Sequence, residues 1–382
     1  MVNQRYRGIE MRFNKSIISI SYMLLFFQIS ISILGTNNYI VSIPYLKYYF
    51  DIIVLFATIS CILSFFSQTI AVKELVFIVL WLVVSAITLV TTKDILVVTN
   101  ALMIISARKF SIKKTVQTVF FANLFSLTTT LILFILGFVS DNNNGTVNKH
   151  SFGLSHPNQL GAVLMVLILC SAYLFIHASK NIKFILVILN IFYLLLLNSS
   201  GSRGAILASL LMFFVLILFY TKPNYLYSIC LLIGVFFFCF SLYSTSTSVY
   251  ASGSILNKLD TVLTNRVRMN NVFMTNYGIK IFGQQVLYTG GSSIMYHADY
   301  AYLDNGYLRN LINFGISYSL LFYIYLISVI RKVNSLNLYS AYIIIIPMLV
   351  YGFVEEGFTS FLTNIVLLFT SILFISNEKE RE

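Results

Sequence analysis

The chain alternates long apolar runs with short polar breaks almost from end to end, and one polar stretch far exceeds the others. An apolar run of about 20 residues is what a helix needs to cross the hydrocarbon core of a bilayer. Length and apolar content place twelve such segments, at 16–35, 48–66, 74–92, 94–107, 115–140, 158–179, 182–198, 204–221, 225–243, 306–330, 338–354 and 358–376. The segment 94–107 is short for a straight crossing. The pattern predicts an all-α, polytopic integral membrane protein, one transmembrane domain over residues 1–382. Before the tenth run lies 244–305, a stretch of mostly polar residues read as one large loop. Loops of that size are functional or disordered. Its short apolar runs, Ser254-Ile255-Leu256 and Lys280-Ile281-Phe282-Gly283, predict that it folds.

At 382 residues a soluble chain would form two or three domains, but 58% hydrophobic content and only 10% charged residues overrule that expectation. No small-residue cleavage site follows the first apolar run, so it reads as a span and not as a removable signal. Cys61, Cys170, Cys230 and Cys239 lie inside apolar runs without metal-like spacing and read as core filler.

The net charge of +12 suggests nucleic acid, yet no basic patch falls on a soluble face. The basic residues sort by side instead. With a cytoplasmic N-terminus, sixteen of the 25 Lys and Arg residues fall on the inner side. That expectation places both termini in the cytoplasm, the protein in the cell membrane, and 244–305 outside. His156, Arg203, Arg266, Arg268, His297, Asp304, Glu355 and Glu356 then share the outer face. No Gly-rich phosphate loop or dinucleotide fingerprint stands on the inner side, which argues against nucleotide-dependent chemistry.

Four segments carry candidate chemistry. In Asn198-Ser199-Ser200-Gly201-Ser202-Arg203-Gly204, Ser202 can cap the eighth span and leave backbone N–H groups for an anion, reinforced by Arg203. An interface-anchoring arginine is the plainer alternative. Ser151 to Gln159 leads into the sixth span, where Ser155 or Asn158 can cap and His156 can act as a base or bind a hydroxyl. Arg266 and Arg268 would share one side of a strand but diverge on a helix. Their guanidinium forks match phosphate. The stretch Tyr296 to Arg309 offers His297, Asp299 and Asp304 as bases and tyrosines such as Tyr302 as stacking faces, although an interfacial aromatic belt explains tyrosines too. Arg309 falls one turn inside the tenth span, on one face with Asn305.

Together these segments resemble the O-antigen polymerase and ligase family, the Wzy-like polysaccharide polymerases. The resemblance rests on Phe152–Asn158, Ser200–Ala205, Asn265-Arg266 followed by Phe282-Gly283, and Asp304-Asn305-Gly306-Tyr307-Leu308 ahead of Gly315-Ile316. It covers residues 150–320, and the earlier spans match in topology only. It implies a membrane glycosyltransferase that takes undecaprenyl-diphosphate-linked oligosaccharides and uses no metal, cofactor or nucleotide sugar. Implied partners are the lipid bilayer, a flippase and a chain-length regulator, with no nucleic acid. Arg203, Arg266, Arg268 and Arg309 would hold the diphosphate, and His156, Asn158, Asn305 and Tyr302 the acceptor sugar. Members of the family often carry His before the motif Asn, where this chain has Asp304, so the base is Asp304 or His297. Surrounding arginines are expected to lower the pKa of Asp304.

Two other classes fit the span count. A lipid-linked oligosaccharide flippase would place its charges midway in the bilayer between short loops, which the long loop and one-sided charges oppose. A non-catalytic assembly partner would need none of these constellations. A ligase differs from a polymerase in its acceptor and not in its chemistry.

Overall fold

The structure, a computed structural model, describes residues 2–37, 49–66, 70–141, 149–246, 255–262, 266–288 and 302–375. These form helices α1 (Val2–Gly35), α2 (Tyr49–Phe66), α3 (Val72–Thr92), α4 (Leu96–Ser106), α5 (Ile112–Ile135), α6 (Pro157–Ile176), α7 (Lys180–Ser200), α8 (Arg203–Thr221) and α9 (Leu226–Tyr243). In the large loop lie α10 (Ile255–Val262) and α11 (Arg266–Tyr277), followed by α12 (Gly306–Arg309), α13 (Gly315–Ser335) and α14 (Tyr342–Val354). Among the described residues, eight helices are long and apolar enough to cross a membrane, and Asp51–Ser64 and Tyr339–Val354 are shorter apolar helices. Among the described residues the protein is all-helical, and it is polytopic. Bulky side chains such as Phe184, Leu195, Leu232 and Val235 stand exposed on α7 and α9 at 63–71%, a surface that hydrocarbon covers.

The bundle is built around α14, in which every residue from Tyr342 to Val354 is buried. A helix apolar on all sides belongs in the middle, and α14 packs against α6, α8 and α9. A second seam joins α3 to α13. Trp81, fully buried, meets Tyr318 and Tyr325 edge-on at 5.8 and 5.9 Å between ring centres.

Two expected spans are not regular transmembrane helices. The segment 94–107 contains the 11-residue α4, mostly buried. The segment 358–376 contains 3₁₀ turns at Ile365–Leu368 and Thr370–Phe374, after Glu356–Thr359. A 3₁₀ turn rises about 2.0 Å per residue against about 1.5 Å for an α-helix, so it covers more distance with fewer residues. Tyr325 Oη ties this segment to α13 by donating to the Leu367 carbonyl at 3.0 Å. Of the cysteines, Cys61, Cys170 and Cys230 are buried and Cys239 is exposed.

The tenth span is broken. Asn305 caps α12, a π-helical turn follows at Asn310–Phe314, and α13 restarts at Gly315 with φ +82. A break frees backbone groups that a membrane protein must satisfy internally. The segment after α11 supplies the partners. Ile316 N donates to Lys280 O at 3.0 Å, Ser317 N to Ile281 O at 3.0 Å, and Gln284 N to Asn313 O at 2.9 Å. The run Lys280-Ile281-Phe282-Gly283 is thus folded onto the break. Gly283, at φ +80, lies so close that a Cβ there would stand 2.2 Å from Asn313 O.

Charged side chains collect at opposite ends of α3. At its start, Arg108 Nη1 meets Glu74 Oε2 at 2.8 Å. Thr92 and Lys93, at its far end, border a cleft shared with Arg309. At about 1.5 Å per residue the helix between them is roughly 31 Å long, close to a hydrocarbon thickness.

Candidate functional site

Segments distant in sequence meet beside the C-terminal end of α14. The stretch before α6 is held by Asp141, whose Oδ1 accepts from Ser151 N at 2.8 Å and Phe152 N at 3.1 Å. Ser155 N donates to Thr36 O at 2.8 Å, and His150 N donates to Ser199 O at 3.0 Å, joining this stretch to α1 and to the α7–α8 turn.

His156, rather than Ser155 or Asn158, caps α6. Its Nδ1 accepts from Asn158 N at 3.0 Å, while Ser155 Oγ donates to Gln159 Oε1 at 2.7 Å. With Nδ1 accepting, the neutral ring carries its proton on Nε2. Burial first, then the charges of Lys149 and Arg266, push the imidazole down to about 4. Near neutrality His156 is a hydrogen-bond donor and a poor base. Asn158 is half-buried beside it.

Ser202 takes the N-cap position of α8, but its side chain makes no capping bond, so the expected cap does not form. Arg203 is exposed at the first helical position. Burial, helped by Arg203 and Arg266, holds the Lys149 ammonium below its ordinary range, and Glu355 opposes that shift. The helices α8 and α14 touch closely here. A Cβ on Gly204 would lie 2.7 Å from Val354 Cγ2 and 3.0 Å from Glu355 Cγ.

Residues 266–277 are helical, so Arg266 and Arg268 diverge. Arg266 is half-buried and Arg268 is exposed, its backbone N donating to Asp260 Oδ1 at 2.9 Å. The fold therefore does not bring the two arginines together as a strand would. Arg266 Nε lies 3.0 Å from Asp304 Oδ2, Nη1 lies 2.8 Å from Glu355 Oε1, and Nη1 also donates to the Val354 carbonyl.

Asp304 sits under the influence of both Arg266 and Arg309. Burial nevertheless outweighs the two cations and raises its pKa, the reverse of the sequence expectation. Burial also pushes Glu355 up to about 7, with Asp304 adding to the shift and Arg266 opposing it. These two carboxyls flank one guanidinium, and Asp304 makes Glu355 harder to ionise.

Arg309 pairs with Glu356, whose Oε1 accepts from Tyr302 Oη at 2.5 Å. Its guanidinium lies 5.3 Å from the centre of the Tyr288 ring. Tyr302 is thus part of a charged network and stands 4.9 Å from the same ring. Asn305 is buried and its side chain is spent on structure. Oδ1 accepts from Leu308 N at 3.1 Å and Nδ2 donates to Ser241 Oγ at 3.0 Å. His297 lies outside the described residues.

Reasoning from sequence assigned no role to Lys149, Glu355 or Glu356. The available signal was the pair of adjacent glutamates directly after the long apolar run of α14, since ionisable groups at membrane depth mark functional positions. Compared with known proteins, the chain matches no family model, no curated protein and no solved structure. A functional reading therefore rests on this constellation of side chains.

Proposed function

We propose that the protein is a membrane glycosyltransferase that polymerises lipid-diphosphate-linked oligosaccharide units into surface polysaccharide, with Arg266 at its active centre. One observation carries the reading. Lys149, Arg266 and Arg309 gather around the buried carboxyls Asp304 and Glu355, with Arg203 beside Lys149, at one end of an apolar helical bundle. That is where the diphosphate of a membrane-anchored lipid would lie. In this reading the chain crosses twelve times, with α4 and the 3₁₀ turns after α14 as irregular crossings. Both termini are cytoplasmic and the site is extracytoplasmic.

The donor diphosphate binds Arg266, with Arg203 and Arg309 beside it. An acceptor hydroxyl attacks the anomeric carbon, the carbon–oxygen bond to phosphate breaks, and the lipid diphosphate leaves with the bonding electrons. Its growing negative charge is stabilised by the arginine forks, commonly the largest catalytic contribution. Asp304 takes the hydroxyl proton. It is the more exposed carboxyl, at 16% against 8% for Glu355, so it faces the acceptor while Glu355 positions Arg266. When the diphosphate engages Arg266, Asp304 loses part of its counter-charge and becomes a stronger base. His156 donates its Nε2 proton to a substrate oxygen.

The test is polymer formation from undecaprenyl-diphosphate repeat units in purified membranes. Arg266→Ala is expected to lose at least about 10²-fold in rate, and Arg266→Lys to recover little of it, since an ammonium cannot reproduce a bidentate fork. Polymer of normal length from either variant would remove Arg266 from the site. Repeat units alone suffice for a polymerase, whereas a ligase needs a different acceptor.

A further inference from the structure

Beside Arg309 opens a cleft of about 540 Å³, within the range that holds small molecules. It forms where irregular backbone converges. The α3–α4 connection at Lys93–Ile95, the docked segment at Gln284–Val286, the π-helical turn and the turn at Phe361 between two 3₁₀ stretches all border it. In a lipid-embedded chain, non-helical backbone persists only where protein covers it or a wet cavity meets it. Interrupted helices in such chains mark binding sites.

The polar lining includes Lys93, Asp94, Gln285, Tyr288, Arg309 and Asn313, with Thr92, Thr99 and Gln284 beside them, and the remainder is apolar, including Ile53 and Phe361. Asn313 is 5% exposed. Its Nδ2 donates to Tyr288 Oη at 2.5 Å, but its Oδ1 is buried without a hydrogen-bond partner, as is Arg309 Nε. An unpaired amide oxygen calls for a donor, and an unpaired guanidinium N–H calls for an acceptor. A sugar hydroxyl is both. A diphosphate offers acceptors only and leaves Asn313 Oδ1 unanswered. The apolar wall suits the C–H faces of sugar rings.

We propose that this cleft is a saccharide subsite, in which Asn313, Gln285 and Arg309 hold hydroxyls of a lipid-linked unit whose reacting end lies at Arg266. The assignment rests on the glycosyl-transfer reading above and places the sugar chain, which that reading leaves unplaced.

The experiment uses the full-length protein in nanodiscs. The probe is the free oligosaccharide released by mild acid from the producing cells' own lipid-linked repeat units, and undecaprenyl phosphate serves as a separate lipid probe. Titration calorimetry is expected to show saccharide binding that weakens at least tenfold in Asn313→Ala and severalfold in Gln285→Ala, with undecaprenyl phosphate affinity unchanged. Gln285 is exposed, so its variant reports even where Asn313→Ala fails to fold. Two results would overturn the proposal. One is unchanged saccharide affinity in folded Gln285→Ala, or no saccharide binding by the unmodified protein. The other is loss of undecaprenyl phosphate binding in its place, which would make the cleft a lipid groove. Either result alongside an inactive Arg266→Ala leaves glycosyl transfer standing. An active Arg266→Ala alongside lost saccharide binding removes the active centre and keeps the subsite.

Discussion

Replacing Gly283 with alanine perturbs the contact on which the broken tenth span depends. The backbone there has φ +80, and a Cβ would stand 2.2 Å from Asn313 O and 2.7 Å from Phe314 C. Both obstacles are backbone, so no side chain can swing aside. The left-handed conformation costs a non-glycine residue about 1–2 kcal/mol. The docked segment must also retreat, which breaks Gln284 N to Asn313 O, Ile316 N to Lys280 O and Ser317 N to Ile281 O. Three hydrogen bonds at about 0.5–1.5 kcal/mol each add roughly 1.5–4.5 kcal/mol. The total is roughly 3–6 kcal/mol. At about 2 °C per kcal/mol, the low end suited to a chain of this size, the melting midpoint falls by roughly 6 °C or more. Gly278 supplies the control. It also has positive φ, at +63, but its Cβ would meet nothing within 4 Å, so Gly278→Ala pays only the conformational part. Both variants are to be melted in detergent at one scan rate, because membrane proteins often unfold irreversibly. Equal midpoints for Gly283→Ala and Gly278→Ala would refute the docking of Lys280–Gln284 onto the break.

Further outcomes are expected at the site. Because burial raises the pKa of Asp304 and the base works ionised, turnover should fall as pH drops, with the fall beginning above the ordinary aspartate range. An acidic limb no higher than that of an ordinary aspartate would exclude a carboxyl base with a raised pKa. Asp304→Asn should lose about 10²–10⁴-fold. Glu355→Gln should lower turnover while keeping the acidic limb, because it removes the ion pair that positions Arg266 and leaves Asp304 in place. His156→Gln keeps an N–H donor at the equivalent position and should retain turnover within about tenfold, while His156→Ala should lose about 10²-fold. Equally large losses in both variants would show that the ring acts as a base and not as a donor.

Apolar run length alone determined that the chain is helical and membrane-embedded, because hydrocarbon demands long apolar stretches and internally bonded backbone. It also marked Phe152–Asn158, Arg203, Arg266 and Asp304–Arg309 as polar interruptions worth explaining, and the fold gathers His156, Arg203, Arg266, Asp304 and Arg309. Tertiary structure decided what those groups can do. Arg266 finds Glu355 across 89 residues, a distance no local pattern reports. Whether residues 266–268 form helix or strand, and so whether Arg268 joins Arg266, depended on the loop's packing, because two arginines two apart are compatible with either. The sign of the Asp304 shift was likewise out of reach. Neighbouring arginines are legible in a sequence, but the burial that outweighs them is set by every chain segment that excludes water from the carboxyl. The segment after α14 has ordinary apolar composition, yet it runs as 3₁₀ turns packed against α13 and α4. Composition tells a segment which solvent it prefers; only its neighbours tell it what shape to take there.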